Sequence, residues 1–405
     1  MKAKKLSLYN FRSFEKLDLE AGSRLNLLVG ENGTGKTTLL DALSIALGAV
    51  LTILPETTGI GFKKTDNRQV GNRPSPFMRV SIETTEGIFW DRIERRDKRL
   101  NMSSFSPQVY GVYKLRQYIQ KTIIDPYFQE EEFLLPVFSY YGVSRALLEA
   151  PLRRRGFPKT HNRFEAYSNA LESVSRFKSA FIWFYNKENE ELRKQKELKS
   201  FAYKLPELET VRRAIITMFP DLSDPHIMTN PLRFAVKAGN EVLDITQLSD
   251  GYKTLFALLI DLASRMAIAN PQLENPLTSP AIVMVDEIDL HLHPEWQKRV
   301  VGQLLQVFPN TQFFLTTHSP YIIESVNNLL MRHRLTELKN EETDSDIVSL
   351  YPLPPADVKA YYFTRSGMVS IMDDDIQLID DKLIHPFNSI SSQFDRMSDL
   401  AIEEK

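Results

Sequence analysis

The sequence predicts an α/β fold, in which a mixed β-sheet is built from two separated stretches of chain and a helical segment is inserted between them. The apolar run 25–29 leads into a glycine-rich loop, and residues 39–47 then have the apolar spacing of a helix. Two later apolar runs, 281–285 and 313–315, each end in polar side chains. Between the two stretches, residues 160–220 are charged and favour helix.

The composition is that of a soluble globular protein, and it excludes several classes of function. The 405 residues are 42% hydrophobic and 25% charged, with a formal net charge of -2, so no global field draws the chain to nucleic acid or membrane. No cysteine is present, which excludes disulfides and thiol chemistry. No apolar run approaches the ~20 residues of a membrane span, and the start lacks a secretory signal. We therefore expect a cytoplasmic protein without a membrane partner.

The glycine-rich loop fits the phosphate-binding pattern G-x-x-x-x-G-K-[ST]. Its glycines allow a tight turn that brings N–H groups against phosphate oxygens, and the following helix presents its positive N-terminus. Lys36 would contact the β and γ oxygens, while the Thr37 hydroxyl would bind Mg²⁺. The strand before and the helix after the loop make a chance match the weaker alternative. The predicted nucleotide-binding residues here are Gly30, Glu31, Asn32, Gly33, Thr34, Gly35, Lys36, Thr37 and Thr38.

Two further motifs follow the later strands. Asp286 and Glu287 end a buried strand, where the first can bind Mg²⁺ and the second can orient or deprotonate a water. A helix-capping pair is the alternative, and the phosphate loop favours the catalytic interpretation. His318 follows the next strand, from which a sheet neighbour could reach the γ-phosphate. A single histidine is more often structural.

Ser249 and Gly251 open a long helix that is apolar nearly all round, so the helix should be buried. A serine at a helix N-terminus is an anion site. Ordinary capping by Ser249 or Asp250 is the alternative, and it is compatible with the same geometry.

In this order, the motifs resemble those of the ATP-binding cassette (ABC) superfamily: Walker A, signature, Walker B and H-loop. Within it the chain is similar to the RecF/SMC/OLD branch. The resemblance rests on the opening LSLYNFRSF (6–14), the signature LSDG (248–251) and the D-loop DEIDLHLHP (286–294). It covers roughly 1–50 and 230–330 well and the middle poorly. It implies an ABC-type P-loop ATPase head with ATP and Mg²⁺ as cofactors.

The resemblance also implies a role for each matched residue in hydrolysis. Lys36 would hold the phosphates, and Thr37 with Asp286 would hold magnesium. Glu287 would be the general base and His318 the γ-phosphate sensor.

Other matched residues would act at an interface. The resemblance implies that Ser249 and Gly251 contact ATP held by a second chain, so that ATP joins a head-to-tail homodimer. Asn10 and Arg12 would lie near the base and phosphates. Asp250 departs from the signature of transporter ATPases. A carboxylate at this position would lie near the γ-phosphate and repel it unless the side chain points away.

Several features fall outside these motifs. No clear glutamine loop is present, and residues 140–145, with Arg145, are our candidate for its place. His291 and His293 alternate without a third metal ligand nearby, so we favour a D-loop role at the dimer interface. Two basic clusters could bind a phosphate backbone, although a solvated surface is the alternative: Arg153, Arg154, Arg155, Lys159, His161 and Arg163; and Arg92, Arg95, Arg96, Lys98 and Arg99.

We predict that 1–150 and 226–405 form the two parts of the ATPase head around a helical insertion, 151–225. With its short helical insertion, the chain resembles the PtuA and AriA type of anti-phage ATPase. This resemblance implies a homodimer or larger homo-oligomer that controls a separate effector or nuclease. The residues after His318 show no Toprim-like carboxylate set, so we expect no autonomous nuclease. The main alternative is a RecF-like repair ATPase that binds DNA itself. A transporter subunit is disfavoured by the D-loop.

Overall fold

The computed structural model describes residues 1–71, 73–96, 110–143, 162–173, 177–338, 345–365 and 367–380. The β-strands are β1 (Ala3–Phe11), β2 (Phe14–Glu20), β3 (Leu25–Gly30), β4 (Gln69–Val70), β5 (Arg73–Pro74), β6 (Phe77–Thr84), β7 (Phe89–Arg95), β8 (Val137–Tyr141), β9 (Leu222–Thr229), β10 (Leu232–Ala238), β11 (Glu241–Asp244), β12 (Ala281–Val285), β13 (Thr311–Thr317), β14 (Val358–Thr364), β15 (Gly367–Ser370), β16 (Met372–Asp373) and β17 (Leu378–Ile379). The α-helices are α1 (Lys36–Leu51), α2 (Tyr113–Ile119), α3 (Asp125–Phe128), α4 (Phe177–Leu198), α5 (Pro206–Met218), α6 (Asp250–Ala269), α7 (Pro294–Gln297), α8 (Val300–Val307), α9 (Pro320–Glu337) and α10 (Ser345–Val348).

The central sheet has the strand order β15-β14-β3-β13-β12-β8. All of its strands run parallel except the edge strand β15, which pairs antiparallel with β14. The residues of β3, β12 and β13 are buried throughout, as expected for parallel strands covered on both faces. The predicted α/β fold with a mixed sheet is confirmed.

Helix α1 packs on the central sheet with one side. A second sheet, β2-β1-β6-β7, is antiparallel and packs against the opposite side of α1. Burial alternates along β1, as its alternating apolar and polar residues predict: Leu6 and Leu8 are buried, whereas Lys5 and Ser7 are partly exposed. α1 is buried along almost its whole length because it lies between the two sheets. The Trp90 indole N–H donates to the carbonyl oxygen of Ala46 at 2.9 Å, which joins this sheet to the helix.

The middle of the chain contributes the antiparallel helices α4 and α5, both of which pack on α6. α6 is buried on nearly all sides, as its apolar sequence predicts. Strand β9 begins at Leu222, inside the range 151–225 that the sequence predicted as helical, and forms a three-stranded sheet with β10 and β11. The division into domains stays a prediction.

The described tail adds β14 beside β3. The apolar runs near 360–363 and 368–372 predict two strands in the tail, and both are present. The apolar run 134–141 predicts a strand from 134, but the strand begins only at Val137, because the backbone N–H and C=O of Leu135 both bond the Asn270 side chain. The sequence also predicts a short helix at the end of the tail, which lies outside the described residues. Within the described ranges, no helix combines the length and the apolar character needed to span a membrane.

Candidate nucleotide-binding site

Three of the predicted motifs meet at one edge of the central sheet. β13 lies between β3 and β12, and all three strands run parallel, so their carboxyl ends lie side by side. The phosphate loop leaves β3, Asp286 and Glu287 follow β12, and His318 follows β13. A cavity opens at this edge, and it is lined by Arg12, Ser13, Asn32, Gly33, Gly35, Lys36, Thr37, Thr38, Asp286 and Glu287.

The phosphate loop requires glycine at two positions around this cavity. Gly35 has φ +107°, and a Cβ built on it would lie 2.4 Å from the Phe14 ring. Gly33 has φ +78° with open space beside its Cα, since nothing lies within 4 Å of a Cβ built there. The first glycine permits the packing beneath the loop. The second leaves its backbone open to close approach, which fits a phosphate group.

The Lys36 side chain is 6% exposed and is held against the loop that it follows. Its ammonium donates to the carbonyl oxygens of Gly30 at 2.7 Å and Glu31 at 2.8 Å. The His318 Nε2 is 3.3 Å from the Lys36 Nζ and must act as the acceptor, because an ammonium can only donate. Burial lowers the pKa of Lys36, and the nearby carboxylates, led by Asp286, partly offset this.

A hydrogen-bonded set of oxygens links the strand ends. The Thr37 hydroxyl donates to Asp286 Oδ2 at 2.9 Å. The Thr316 hydroxyl donates to Asp286 Oδ1 at 2.6 Å and accepts the Glu287 backbone N–H at 2.7 Å. Hydroxyl and carboxylate oxygens are the ligands that Mg²⁺ prefers, so Thr37 and Asp286 fit this ion. The role of Thr316 was missed by sequence reasoning, although a hydroxyl at the end of an apolar strand was a usable signal.

Glu287 lines the cavity, and His318 lies next to it without lining the cavity itself. Their side chains are 29% and 30% exposed, and Glu287 Oε1 is 4.0 Å from His318 Nε2. Glu287 has φ +50°, a left-handed conformation that is costly for a non-glycine residue and that concentrates at functional sites. A water beside this carboxylate would be within reach of the cavity.

Arg12 lines the cavity from the turn between β1 and β2. Its guanidinium is held by two carboxylates that the sequence did not indicate, Asp41 at 2.6 Å and Asp66 at 2.9 Å. Asp66 is 1% exposed, so this pairing is buried on one side. Arg12 and Asn10 both have left-handed φ values, +49° and +50°. The structure therefore places Arg12 at the cavity in a fixed orientation.

The signature residues Ser249 and Gly251 do not line this cavity. A Cβ on Gly251 would lie 2.6 Å from the His291 carbonyl oxygen, so glycine is required for contact with the D-loop of the same chain. Ser249 occupies the N-cap position of α6, but its side chain makes no cap hydrogen bond. Asp250 is 73% exposed and pairs with Lys253 at 3.1 Å.

The remaining sequence candidates have other roles or lie outside the description. His293 caps α7 by accepting the Glu295 N–H at 3.3 Å, and the described residues contain no cluster of three potential metal ligands. Arg163 bonds the Phe133 and Ala269 carbonyl oxygens, and Arg92 bonds that of Ile45, so both guanidinium groups have partners within the chain and phosphate binding by them stays a prediction. Residues outside the described ranges are Lys98, Arg99, Arg145, Arg153, Arg154, Arg155, Lys159 and His161.

The fold and the arrangement of motifs are those of an ATPase, as predicted. The chain belongs to the AAA domain family, whose match covers residues 5–221, more than half of its length. It is 28% identical to the Retron Ec83 probable ATPase of Escherichia coli over 395 residues, covering 80% of this chain and 69% of that protein. The Retron Vc95 probable ATPase of Vibrio cholerae is 27% identical, with 81% and 72% covered. The Septu protein PtuA of Bacillus mycoides is 24% identical, with 86% and 42% covered.

Proposed function

We propose that this ATPase binds and hydrolyses Mg²⁺–ATP between two copies of itself, and that the cycle controls a separate effector in anti-phage defence. The observation that carries the proposal is one cavity at the sheet edge that is lined by Lys36, Thr37, Asp286 and Glu287, with His318 adjoining the Lys36 ammonium and the Glu287 carboxylate. The relationship to retron and Septu proteins supports the setting in defence.

In this proposal, the phosphates occupy the open side of the loop at Gly33, and the Lys36 ammonium turns from the loop carbonyls toward their oxygens. That movement exchanges neutral acceptors for charged ones, which strengthens the hydrogen bonds of the ammonium. Thr37 and Asp286 would hold magnesium, which would supply neutralisation of phosphate charge. Thr316 keeps the Asp286 carboxylate in the required orientation.

Glu287 would take the proton of an attacking water. His318 would donate to the terminal phosphate once the Lys36 ammonium has turned away and Nε2 carries a proton. The two groups are close enough to act on the same region of the cavity and exposed enough to admit water. The Glu287 backbone N–H is fixed by Thr316, so its carboxylate is aimed from a rigid strand end.

The position of the signature supports a composite site. Within one chain, Ser249 and Gly251 lie outside the cavity, whereas the helix N-terminus that they form is suited to an anion. A second chain packed head to tail would bring that N-terminus to the nucleotide. The Asp250–Lys253 pair removes much of the repulsion that a carboxylate would otherwise cause.

The test is the Glu287→Gln variant of the full chain. It should bind ATP as the wild type does, hydrolyse it about a hundredfold more slowly, and accumulate as an ATP-dependent dimer in light scattering. Hydrolysis at the wild-type rate would show that Glu287 is not the base. Slow hydrolysis without any ATP-dependent dimer would contradict the composite site.

A further inference from the structure

Helices α4 and α5 form a hairpin. One stripe of α4, here called the seam, has residues at alternating spacings of four and three, the pattern of a helix packed along one face. The first three members of the seam, all phenylalanine, are buried, and two of them contact the ring of Phe234 in β10. The following members are polar and the last is apolar again. The seam consists of Phe177, Phe181, Phe184, Glu188, Glu191, Gln195 and Leu198.

The polar part of the seam fixes the connection between α4 and α5. Glu191 accepts the backbone N–H of Leu205 at 2.7 Å. The Gln195 side-chain amide donates to the carbonyl oxygens of Tyr203 at 2.8 Å and Phe201 at 3.4 Å, and the Gln195 backbone carbonyl accepts the Ser200 N–H at 3.0 Å. Gln195 is only 7% exposed. The connection is therefore an ordered turn that presents its side chains in a defined direction.

Two apolar side chains stand on this turn without cover. Phe201 is 88% exposed, the highest value for a large hydrophobic side chain in the described part of the molecule, and Leu198 is 60% exposed. An aromatic side chain on an ordered turn can enter a partner's pocket at little entropic cost, because its backbone is already fixed. The hairpin tip, residues 192–204, is therefore suited to binding a partner through Phe201.

The same tip is strongly basic. Residues 192–204 carry five cationic side chains against one carboxylate, Glu197, for a formal charge of +4, although the whole chain carries -2. Of these cations, only Lys194 has an ion-pair partner among the described residues, Glu190 at 3.9 Å. The five cations are Arg193, Lys194, Lys196, Lys199 and Lys204.

We propose that the hairpin tip docks a partner protein whose surface has an apolar pocket for Phe201 and an acidic rim for the surrounding lysines. Charge argues against a second copy of the same tip, since two surfaces of +4 repel each other. Leu198 argues against nucleic acid, because an aliphatic side chain beside Phe201 offers nothing to phosphates. The surface lies outside the nucleotide cavity, so the proposal does not depend on ATP hydrolysis.

The test places the photo-crosslinking residue p-benzoylphenylalanine at position 201 of the full chain in its native host. Phe128 in α3, which is 74% exposed, is the matched control position. We expect one protein to be crosslinked from 201 and not from 128. That protein, once purified, should bind the wild-type chain, and binding should weaken at least about tenfold for Phe201→Ser and for the paired change Lys196→Glu with Lys199→Glu. Phe128→Ser should bind within about twofold of the wild type.

Several results would overturn the proposal. These are crosslinks from 201 only to another copy of the chain, to nucleic acid or to lipid, or no crosslink beyond those of position 128. Unchanged affinity of the Phe201→Ser chain for the captured protein would also refute it. Because Phe201 and both lysines are exposed, the variants should keep the wild-type unfolding temperature, and its measurement separates lost docking from lost folding.

Discussion

The nucleotide cavity and the α4–α5 hairpin both contain charged side chains, but these differ in their burial and in their backbone conformation. In the hairpin, Glu191 is 4% exposed and its carboxylate is fully engaged by Arg212 at 2.8 Å and by the Leu205 N–H. In the cavity, Glu287 keeps 29% of its side chain exposed and its backbone lies in a left-handed conformation. Satisfied burial indicates stability, whereas strain and retained exposure indicate chemistry.

This comparison predicts that substitutions in the two regions separate stability from activity. Lys36→Ala should have the largest effect, weakening ATP binding by about a hundredfold or more, which is about 2.7 kcal/mol. The ammonium is the main positive charge at the phosphates. Isothermal titration would measure it, with Lys4→Ala, a largely exposed lysine on β1, as the control. Wild-type affinity for ATP would refute the assignment of the phosphate site.

Glu191→Ala should do the reverse. Removing this carboxylate leaves the buried Leu205 N–H without its acceptor and takes from Arg212 the nearest of its three carboxylates, which we expect to cost about 2–3 kcal/mol of unfolding free energy. Urea unfolding would measure the loss, with the exposed Glu197→Ala on the same helix as the control. ATP affinity should stay within about twofold of the wild type. A loss of ATP binding without a loss of stability would contradict the comparison.

Thr316→Val tests the link within the cavity. The two side chains are isosteric, but valine cannot bond Asp286 or the Glu287 N–H, so we expect kcat to fall about tenfold with a smaller change in KM. Thr311→Val on the same strand is the matched control, since among the described residues the Thr311 hydroxyl has no hydrogen-bond partner. Equal kcat for the two variants would show that Thr316 does not position the acidic pair.

The smallest effect should come from Glu188, where burial raises the pKa to about 7. The folded chain then binds a proton that the unfolded chain releases near pH 4.5, so this group makes stability fall as pH rises between about 4.5 and 7. Glu188→Gln should remove that fall. At pH 8 the variant should be more stable than the wild type by only about 1 kcal/mol, because glutamine avoids burying a charge but also loses the ion pair with Arg212. Thermal unfolding across this pH range measures it, with Glu190→Gln as the control. Identical profiles for wild type and Glu188→Gln would exclude the raised pKa.

Local patterns allowed the sequence to predict the strand, loop and helix around Lys36 and the burial of α6, because those patterns involve neighbouring residues. The partners of Arg12 could not be predicted, since Asp66 lies 54 residues away and reaches it only through the fold. Thr316 gave a weak signal for the same reason. The charged run of α4 predicted a helix correctly, but its four-and-three spacing, which places Glu191 and Gln195 inside, was not used.

The most direct test of the central claim, one ATP shared between two chains, mixes Lys36→Ala chains with Ser249→Arg chains. Each variant alone should be inactive, one because it cannot hold phosphates and the other because its signature cannot approach the partner's nucleotide. A mixed dimer contains one intact pair of surfaces, so the mixture should recover up to about a quarter of the wild-type ATPase rate. No recovery in a mixture that demonstrably forms heterodimers would contradict the shared site.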